Sequence, residues 1–502
     1  MNTKLMAVMG ALALGGAALA QAQQAGMVPI PAGSFEMGDH FGFVDPKHGS
    51  DEIPIHTVRL DAFQIGVFDV TTKQYVEFLN AALAQRLIEV LKDGVYLSGG
   101  SDLLCDTRAS SPSSEVAFDG ARFSVLDKKE NHPMVCVRWH GAAVYCNWMS
   151  AQKKVPLCYD TKTWDCDFNK SGYRLPTEPE WEWAARGGAT HPYFNYPWGN
   201  DADPKKANVP ESNHPFRAGP RPSSPPAGYQ TASGPPGQAW RIGALPLTTP
   251  VGFFNGKLQR KSDFGWPGDA ETFQTANGAN GYGLYDMAGN VWQWCTEWYE
   301  RNYYAYSPSE NPPGPASGSV MQDGKMYRCM RGGSWFNGEF GHSRVSNRDP
   351  SFYRGPDPVT GLSDAQGPWF HIGFRVVLPI NAESRPLIKP TPVQQVRGQQ
   401  MAPAQGGGNE RPPQREGQGG SRGRRLVPPQ ILEQLNLTDS QQKQLSDLEN
   451  EAQSKLAQIL SPQQLQQLQQ MRPPQRQGGG GGNDGQNSGG GNRQNRQRPQ
   501  GE

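Results

Sequence analysis

The chain has 502 residues, and its 48 Lys and Arg against 47 Asp and Glu leave a net charge of only +1 at pH 7. This balance excludes a global field that would draw the protein to nucleic acid or to an acidic membrane surface. The 60 Gly and 44 Pro indicate that much of the chain lies outside regular secondary structure.

The first segment predicts export. Residues 1–22 contain one Lys, an apolar run over residues 5–17 and then small residues that suit cleavage after Ala20 or Ala22, which is typical of a secretory signal peptide. A transmembrane anchor is the alternative, but the apolar run is short for one. No later stretch is long and apolar enough to span a membrane, so we expect a periplasmic or extracellular protein.

Export would allow the seven cysteines to form disulfides. Cys158 and Cys166 flank a short polar loop and are predicted to pair. Cys295 and Cys329, which lie close to predicted strands, form a second candidate pair. The odd number leaves at least one thiol unpaired within the chain, and no CxxC or clustered Cys and His spacing predicts a zinc site.

Residues 27–380 predict one α+β domain with long loops, because short apolar and aromatic runs alternate there with Gly, Pro and Asn. Three helices are predicted inside it. The first covers TTKQYVEFLNAALAQRL and is capped by Thr71 or Thr72; the second begins near His140; the third covers EPEWEWAARGG and ends at Gly187.

The C-terminal part predicts a disordered Pro, Gly and Gln linker over residues 381–425, a helical hairpin over 426–471 and a disordered tail over 472–502. The hairpin is too small to bury much core, so it is expected to associate or to be marginally stable alone. Its LTDSQ and LSPQQ stretches resemble the LTxxQ pattern of periplasmic Spy-type chaperone and stress proteins, over residues 435–471.

Four motifs occur in order in the main domain: GSFEMGD (33–39), YRLPTEPEWEWAARGG (173–188), NGYGLYDMAGNVWQW (280–294), and RGGSW (331–335) followed by GFRVV (373–377). Together they resemble the formylglycine-generating enzyme, or sulfatase-modifying factor, family. The resemblance implies a C-type-lectin-like fold with little regular secondary structure. It also implies an oxidase that converts a sulfatase cysteine to formylglycine with copper and oxygen.

The same resemblance implies calcium as a cofactor. The family's ligand positions correspond here to Asp286, Gly289, Val291 and Gln293. Hard oxygen ligands suit calcium, but the neutral Gln293 replaces a Glu of active relatives and lowers the expected affinity. A second site would begin at Asn208 and Val209, where the remaining ligands fall in divergent sequence. At both loops, hydrogen bonding without a metal is the alternative.

The copper ligands are missing. Family oxidases carry two cysteines three and eight residues after the Ser of GGS, and counting from Ser334 reaches Asn337 and His342. No Cys follows Cys329, so realignment cannot supply a thiolate pair for copper(I), and copper is not expected. Ser334, Asn337, His342 and Arg344 are the candidate groove residues.

Three functional hypotheses follow. The leading one is an exported family member that has lost the oxidase activity and binds a protein, a peptide (for example of an exported sulfatase) or a glycan. The second is another metal-dependent oxidation at the same groove, with iron held by His342 and other histidines such as His132, His140 or His371. The third is an envelope scaffold whose helical hairpin carries the function.

Overall fold

The computed structural model describes residues 26–43, 51–91, 94–111, 113–188, 192–217, 247–321, 324–336, 340–350 and 370–394. The chain divides into two units, Met1–Met401 and Ala402–Glu502, and all described residues lie in the first. The predicted signal peptide (1–22), helical hairpin (426–471) and tail (472–502) lie outside the described residues.

Short elements separated by long loops make up the described part of the domain. Its helices are α1 (Thr72–Ala84), α2 (Trp139–Lys153), α3 (Glu178–Ala185) and the single turn α4 (Lys261–Phe264). Its strands are β1 (Met27–Ile30), β2 (Gly33–Met37), β3 (His56–Leu60), β4 (Phe63–Gly66), β5 (Ile88–Leu91), β6 (Gly94–Leu97), β7 (Leu103–Cys105), β8 (Val116–Phe118), β9 (Phe123–Val125), β10 (Leu258–Arg260), β11 (Thr272–Gln274), β12 (Trp292–Trp298), β13 (Arg328–Arg331), β14 (Ile372–Gly373) and β15 (Val377–Pro379).

The sheets are small. Three of them, β1-β4-β15, β5-β6-β7 and β13-β12-β14, have three strands each, and the others that the described residues form have two. Strand β12 pairs antiparallel with β13 and parallel with β14. The predicted α+β character with few helices is therefore confirmed, while the C-type-lectin-like fold stays a prediction.

Local sequence signals explain where the helices begin and end. Thr71 caps α1 and forms a reciprocal capping box with Gln74. Thr177 and Glu180 form the same box at the start of α3. Gly187, just beyond α3, has a φ of +62°, which glycine adopts without strain. All three predicted helices are thus present within one to three residues of their expected bounds.

The predicted disulfides are absent, because all seven cysteines are free thiols in the structure. Tyr159 rather than Cys158 lies opposite Cys166 in an antiparallel bridge, so the two thiols are out of register. Cys295 follows Trp294, which pairs with Met330, in the part of β12 where the register with β13 shifts, and no disulfide joins it to Cys329. Sequence spacing alone does not reveal either register.

The described structure continues into the first part of the segment predicted as a linker (381–425). Arg385 forms an ion pair with Asp61 at 2.8 Å, and the Thr391 amide donates to the Gly314 carbonyl at 2.8 Å. The chain therefore stays attached to the domain as far as residue 394, the last described position. Across the described ranges, none of the helices combines the length and the apolar character needed to cross a membrane.

Candidate functional site

The candidate site is the place where the GGSW loop (residues 332–335) meets the 3₁₀ turn Phe340–Ser343. Gly333 has a φ of +71°, and a Cβ added to it would lie 2.5 Å from the Ser343 hydroxyl and 2.8 Å from the His342 carbonyl oxygen. Only glycine permits this approach, since any side chain would push the two segments apart. The glycine therefore brings the segments that carry Ser334 and His342 together.

The two candidate side chains at this place have different surroundings. Ser334 is buried, and its hydroxyl accepts a hydrogen bond from the Phe336 amide at 3.2 Å. His342 is half-buried, and its ring centroid lies 6.4 Å from that of Trp292 in an edge contact. Asn337 lies outside the described residues.

The alternative oxidation chemistry would need a metal held by His342 and other histidines. Among the residues that it describes, no group of three or more His, Cys, Asp or Glu side chains could hold a metal ion. His371 packs 5.2 Å from the ring of Phe336, and burial lowers its pKa to about 3. His132 contacts the Thr248 hydroxyl at 2.8 Å, and His140 packs on Trp164. These histidines therefore have separate structural surroundings.

A network of buried ion pairs joins α3 to the segments on either side of the candidate site. Arg331, at the end of β13, donates to Glu178 at 3.2 Å and also to Glu182, both on α3. Arg348 donates to Glu178 at 2.6 Å. These pairs hold α3 against the strand that enters the GGSW loop, and their side chains are almost fully shielded from water.

Arg344 belongs to the same kind of network. Its guanidinium donates to both oxygens of Glu52, at 2.5 and 2.8 Å, and approaches Asp39 at 3.4 Å. Its Nε donates to the Gly341 carbonyl at 3.1 Å. The predicted groove residue thus holds the loop that carries His342, and its charge is already paired.

Asp51 makes the network sensitive to pH. Burial raises the pKa of its carboxyl to about 7, although Arg348 and a hydrogen bond from Tyr299 lower it. Folding therefore favours the protonated carboxyl. The folded state begins to lose stability when the pH rises above about 4, where the unfolded chain ionises, and the loss is complete above about pH 7, where the folded state ionises too.

We expect the Asp51→Asn variant to remove this penalty while its amide oxygen still accepts from Tyr299. The variant should match the wild type near pH 4 and exceed its free energy of unfolding above pH 7 by on the order of 3 kcal/mol. Urea unfolding at several pH values measures the difference. The exposed Asp127→Asn variant is the control, and a difference that does not change with pH would contradict the burial argument.

An apolar rim lies beside the Arg344 network. The Phe43 ring stacks on the Arg344 guanidinium with 3.8 Å between the guanidinium carbon and the ring centroid. The amides of Phe41 and Phe43 donate to Asp39, which ties this segment to Arg344. The side chains of Phe41, Ile53 and Ile55 are 46%, 38% and 41% exposed. We call these three residues the apolar rim.

The first predicted calcium loop is filled by protein donors. The Gln293 amide nitrogen donates to the Asp286 carbonyl at 2.7 Å, and its oxygen accepts from Trp181 at 2.6 Å and from Arg375 at 2.8 Å. An Asp286 carboxylate oxygen accepts from the Gly252 amide at 2.7 Å. Calcium would have to displace these bonds, so this donor set does not fit the ion as arranged.

The second predicted calcium loop contains a guanidinium. Arg217, at the end of the 3₁₀ turn Pro215–Arg217, donates to the Val209 carbonyl at 2.8 Å and approaches the Asn208 side-chain oxygen at 3.4 Å. It also donates to the Trp335 carbonyl at 2.9 Å. The sequence analysis missed Arg217, because nothing in its local spacing relates it to either loop.

Comparisons with known proteins agree with the motifs. A family model described as "Sulfatase-modifying factor enzyme 1-like domain" matches residues 16–380. The formylglycine-generating enzyme of Streptomyces coelicolor is 29% identical over 327 residues, which is 62% of this chain and 78% of that protein. The formylglycine-generating enzyme of Thermomonospora curvata is 28% identical over 367 residues, or 70% and 92% of the two chains.

Two further matches differ in kind. The serine/threonine-protein kinase pkn1 of Chlamydia caviae is 28% identical over 313 residues, which is 62% of this chain and 33% of the kinase. Among solved structures, PvdO from Pseudomonas aeruginosa matches with a TM-score of 0.39 and 22% identity, over 70% of this chain and 94% of that one.

Proposed function

The chain belongs to the sulfatase-modifying factor enzyme 1-like family, and on this premise we propose that it is an exported member that binds a partner protein instead of oxidising it. One observation carries the proposal: the frame of the site is present, while Asn337 and His342 stand where the oxidases have their copper-binding cysteines. Soft thiolate ligands are what copper(I) requires, and an amide and an imidazole do not replace that pair.

The apolar rim favours a peptide segment of a partner protein as the ligand. Phe41, Ile53 and Ile55 are exposed and lie within three residues of Asp39 or Glu52, the carboxylates that pair with Arg344. Exposed apolar side chains grouped in this way are typical of protein interaction sites. The match covers only a third of the protein named as a kinase, so a related domain occurs as one part of a protein with a different named activity. A non-oxidising role is compatible with that occurrence.

Two measurements with the same Cys-containing sulfatase peptide test the proposal. With copper(I) and a reductant present, we expect no oxygen consumption and no aldehyde in the peptide by mass spectrometry. Fluorescence anisotropy should detect binding of the labelled peptide. Aldehyde formation would overturn the loss of oxidase activity, and a glycan that binds while no peptide does would overturn the choice of ligand.

Variants locate the binding surface. Ile55→Asp places a charge in the apolar rim and should weaken peptide binding at least about tenfold, since burying an unpaired charge is costly. Leu258→Asp is the matched control, because Leu258 is an exposed aliphatic residue (49%) of strand β10. A truncation after residue 394 retains the contacts of Arg385 and Thr391 and tests the scaffold hypothesis. Loss of peptide binding on truncation would assign the function to the C-terminal part.

A further inference from the structure

Three main-chain and side-chain oxygens converge on one guanidinium in the structure. Nη2 of Arg217 lies 2.8 Å from the Val209 carbonyl, 2.9 Å from the Trp335 carbonyl and 3.4 Å from Oδ1 of Asn208. Asn208 and Val209 are the residues at which the second calcium site is predicted to begin. The Asn208 and Val209 oxygens, which the resemblance assigns to calcium, therefore face the guanidinium of Arg217.

The chemistry of these oxygens suits a guanidinium better than calcium. All three belong to neutral groups, whereas calcium affinity depends on the number of charged oxygens. A guanidinium offers several N–H donors in a fixed plane and stays protonated at every physiological pH. Calcium could reach these oxygens only by displacing a side chain that already compensates them.

His214 packs against the same guanidinium without competing for charge. Its Nε2 lies 2.7 Å from Oδ1 of Asn208, and the orientation of that amide is fixed because Nδ2 of Asn208 donates to the Leu247 carbonyl at 2.9 Å. Nε of Arg217 lies 3.2 Å from the same Nε2, so the imidazole bridges the guanidinium and the Asn208 side chain. Burial and the neighbouring Arg217 lower the pKa of His214, so Arg217 is the charged member of the pair.

The contacts of Arg217 extend to the candidate site. Trp335, whose carbonyl accepts from Arg217, donates its amide to the Asn290 carbonyl at 3.0 Å. Asn290 lies in the first predicted calcium loop, and its side-chain oxygen accepts from Nδ2 of Asn208 at 3.2 Å. One hydrogen-bonded ring therefore joins both predicted calcium loops to the GGSW loop.

We propose that Arg217 is a built-in cation that replaces calcium at the loop of Asn208 and Val209 and positions the GGSW loop through the Trp335 carbonyl. The loop then needs no metal to close, and its geometry does not depend on the calcium concentration outside the cell. Arg217 acts through Trp335 and is a positioning residue.

Thermal unfolding of the full chain in EGTA and in millimolar calcium tests this proposal. The wild type should have the same Tm in both, within about 1 °C, and isothermal titration with calcium chloride should detect no stoichiometric binding. Arg217→Met keeps the length of the side chain but removes the charge and the donors. It should lower Tm by roughly 5 °C, because the carbonyls of Val209 and Trp335 each lose a donor.

Two further variants separate the charge from simple packing. Arg217→Lys retains a cation and should recover about half of the Tm that Arg217→Met loses. Arg122→Met, at an exposed arginine of the turn between β8 and β9, controls for the substitution and should leave Tm unchanged. Equal losses for Lys and Met at position 217 would overturn the role of the charge. A calcium-dependent rise in the wild-type Tm would overturn the replacement of calcium.

Discussion

The Arg331→Met variant is expected to lose roughly 4 kcal/mol of the free energy of unfolding, because removal of one partner leaves buried carboxylates uncompensated. Arg331 is fully buried, and its guanidinium donates to Glu178 and Glu182 and to the carbonyls of Val345 and Ser346 at 2.9 Å each. Methionine fills much of the volume but supplies none of these donors. Urea unfolding followed by tryptophan fluorescence measures the loss.

A surface pair provides the matched control. Arg59 and Glu310 also approach to 2.8 Å, but their side chains are 54% and 59% exposed. Water screens exposed pairs and side-chain entropy opposes them, so Arg59→Met should be nearly neutral. If the Arg331 and Arg59 variants lost equal stability, burial would not be what makes the Arg331 pairs important, and the support of the GGSW loop by α3 would need another explanation.

Local signals in the sequence predict the helices well. The contacts that the sequence does not predict join residues far apart along the chain. The capping boxes at Thr71 and Thr177 each involve residues three apart, so they can be read from spacing. The ion pair between Arg344 and Glu52 joins residues 292 positions apart. No periodicity relates such residues, so the sequence predicts Arg344 as a groove residue, whereas the structure pairs its charge with Glu52 and Asp39 inside the protein.

The two predicted calcium loops illustrate the same limit. The resemblance predicts calcium at these two loops, and it does not identify the protein groups that this chain places there. At Gln293 the structure places an amide nitrogen against the Asp286 carbonyl, and at Val209 it places the guanidinium of Arg217. Arg217 lies in the divergent part of the sequence, where the resemblance provides no ligand. Calcium therefore stays a prediction that the titration above decides.

Experiment can test whether the backbone around the candidate site still has the oxidase geometry although the two cysteines are absent. Gly333 keeps the turn of His342 against the GGSW loop, and the ion pairs of Arg331 and Arg344 hold both segments. If these contacts preserve the oxidase geometry, only the two sulfur atoms are missing. The frame would then accept a thiolate pair at the two positions without any other change.

We expect the double variant Asn337→Cys/His342→Cys to bind about one equivalent of copper(I), while the wild type binds none in the presence of the same competing chelator, because paired thiolates are the ligands that this soft ion prefers. The titration uses reduced, metal-free protein and follows the absorbance of the copper–chelator complex. The Asn337→Ser/His342→Ser variant is the control, since it keeps the size of the side chains and replaces sulfur with oxygen.

Two outcomes would contradict this expectation. Tight copper(I) binding by the wild type would mean that this chain holds copper without a thiolate pair, and the proposed loss of oxidase chemistry would be wrong. A folded double-cysteine variant, with a Tm close to that of the wild type, that still binds no copper would mean that the contacts of Gly333, Arg331 and Arg344 do not preserve the frame. In that case the binding role would have to rest on the apolar rim alone.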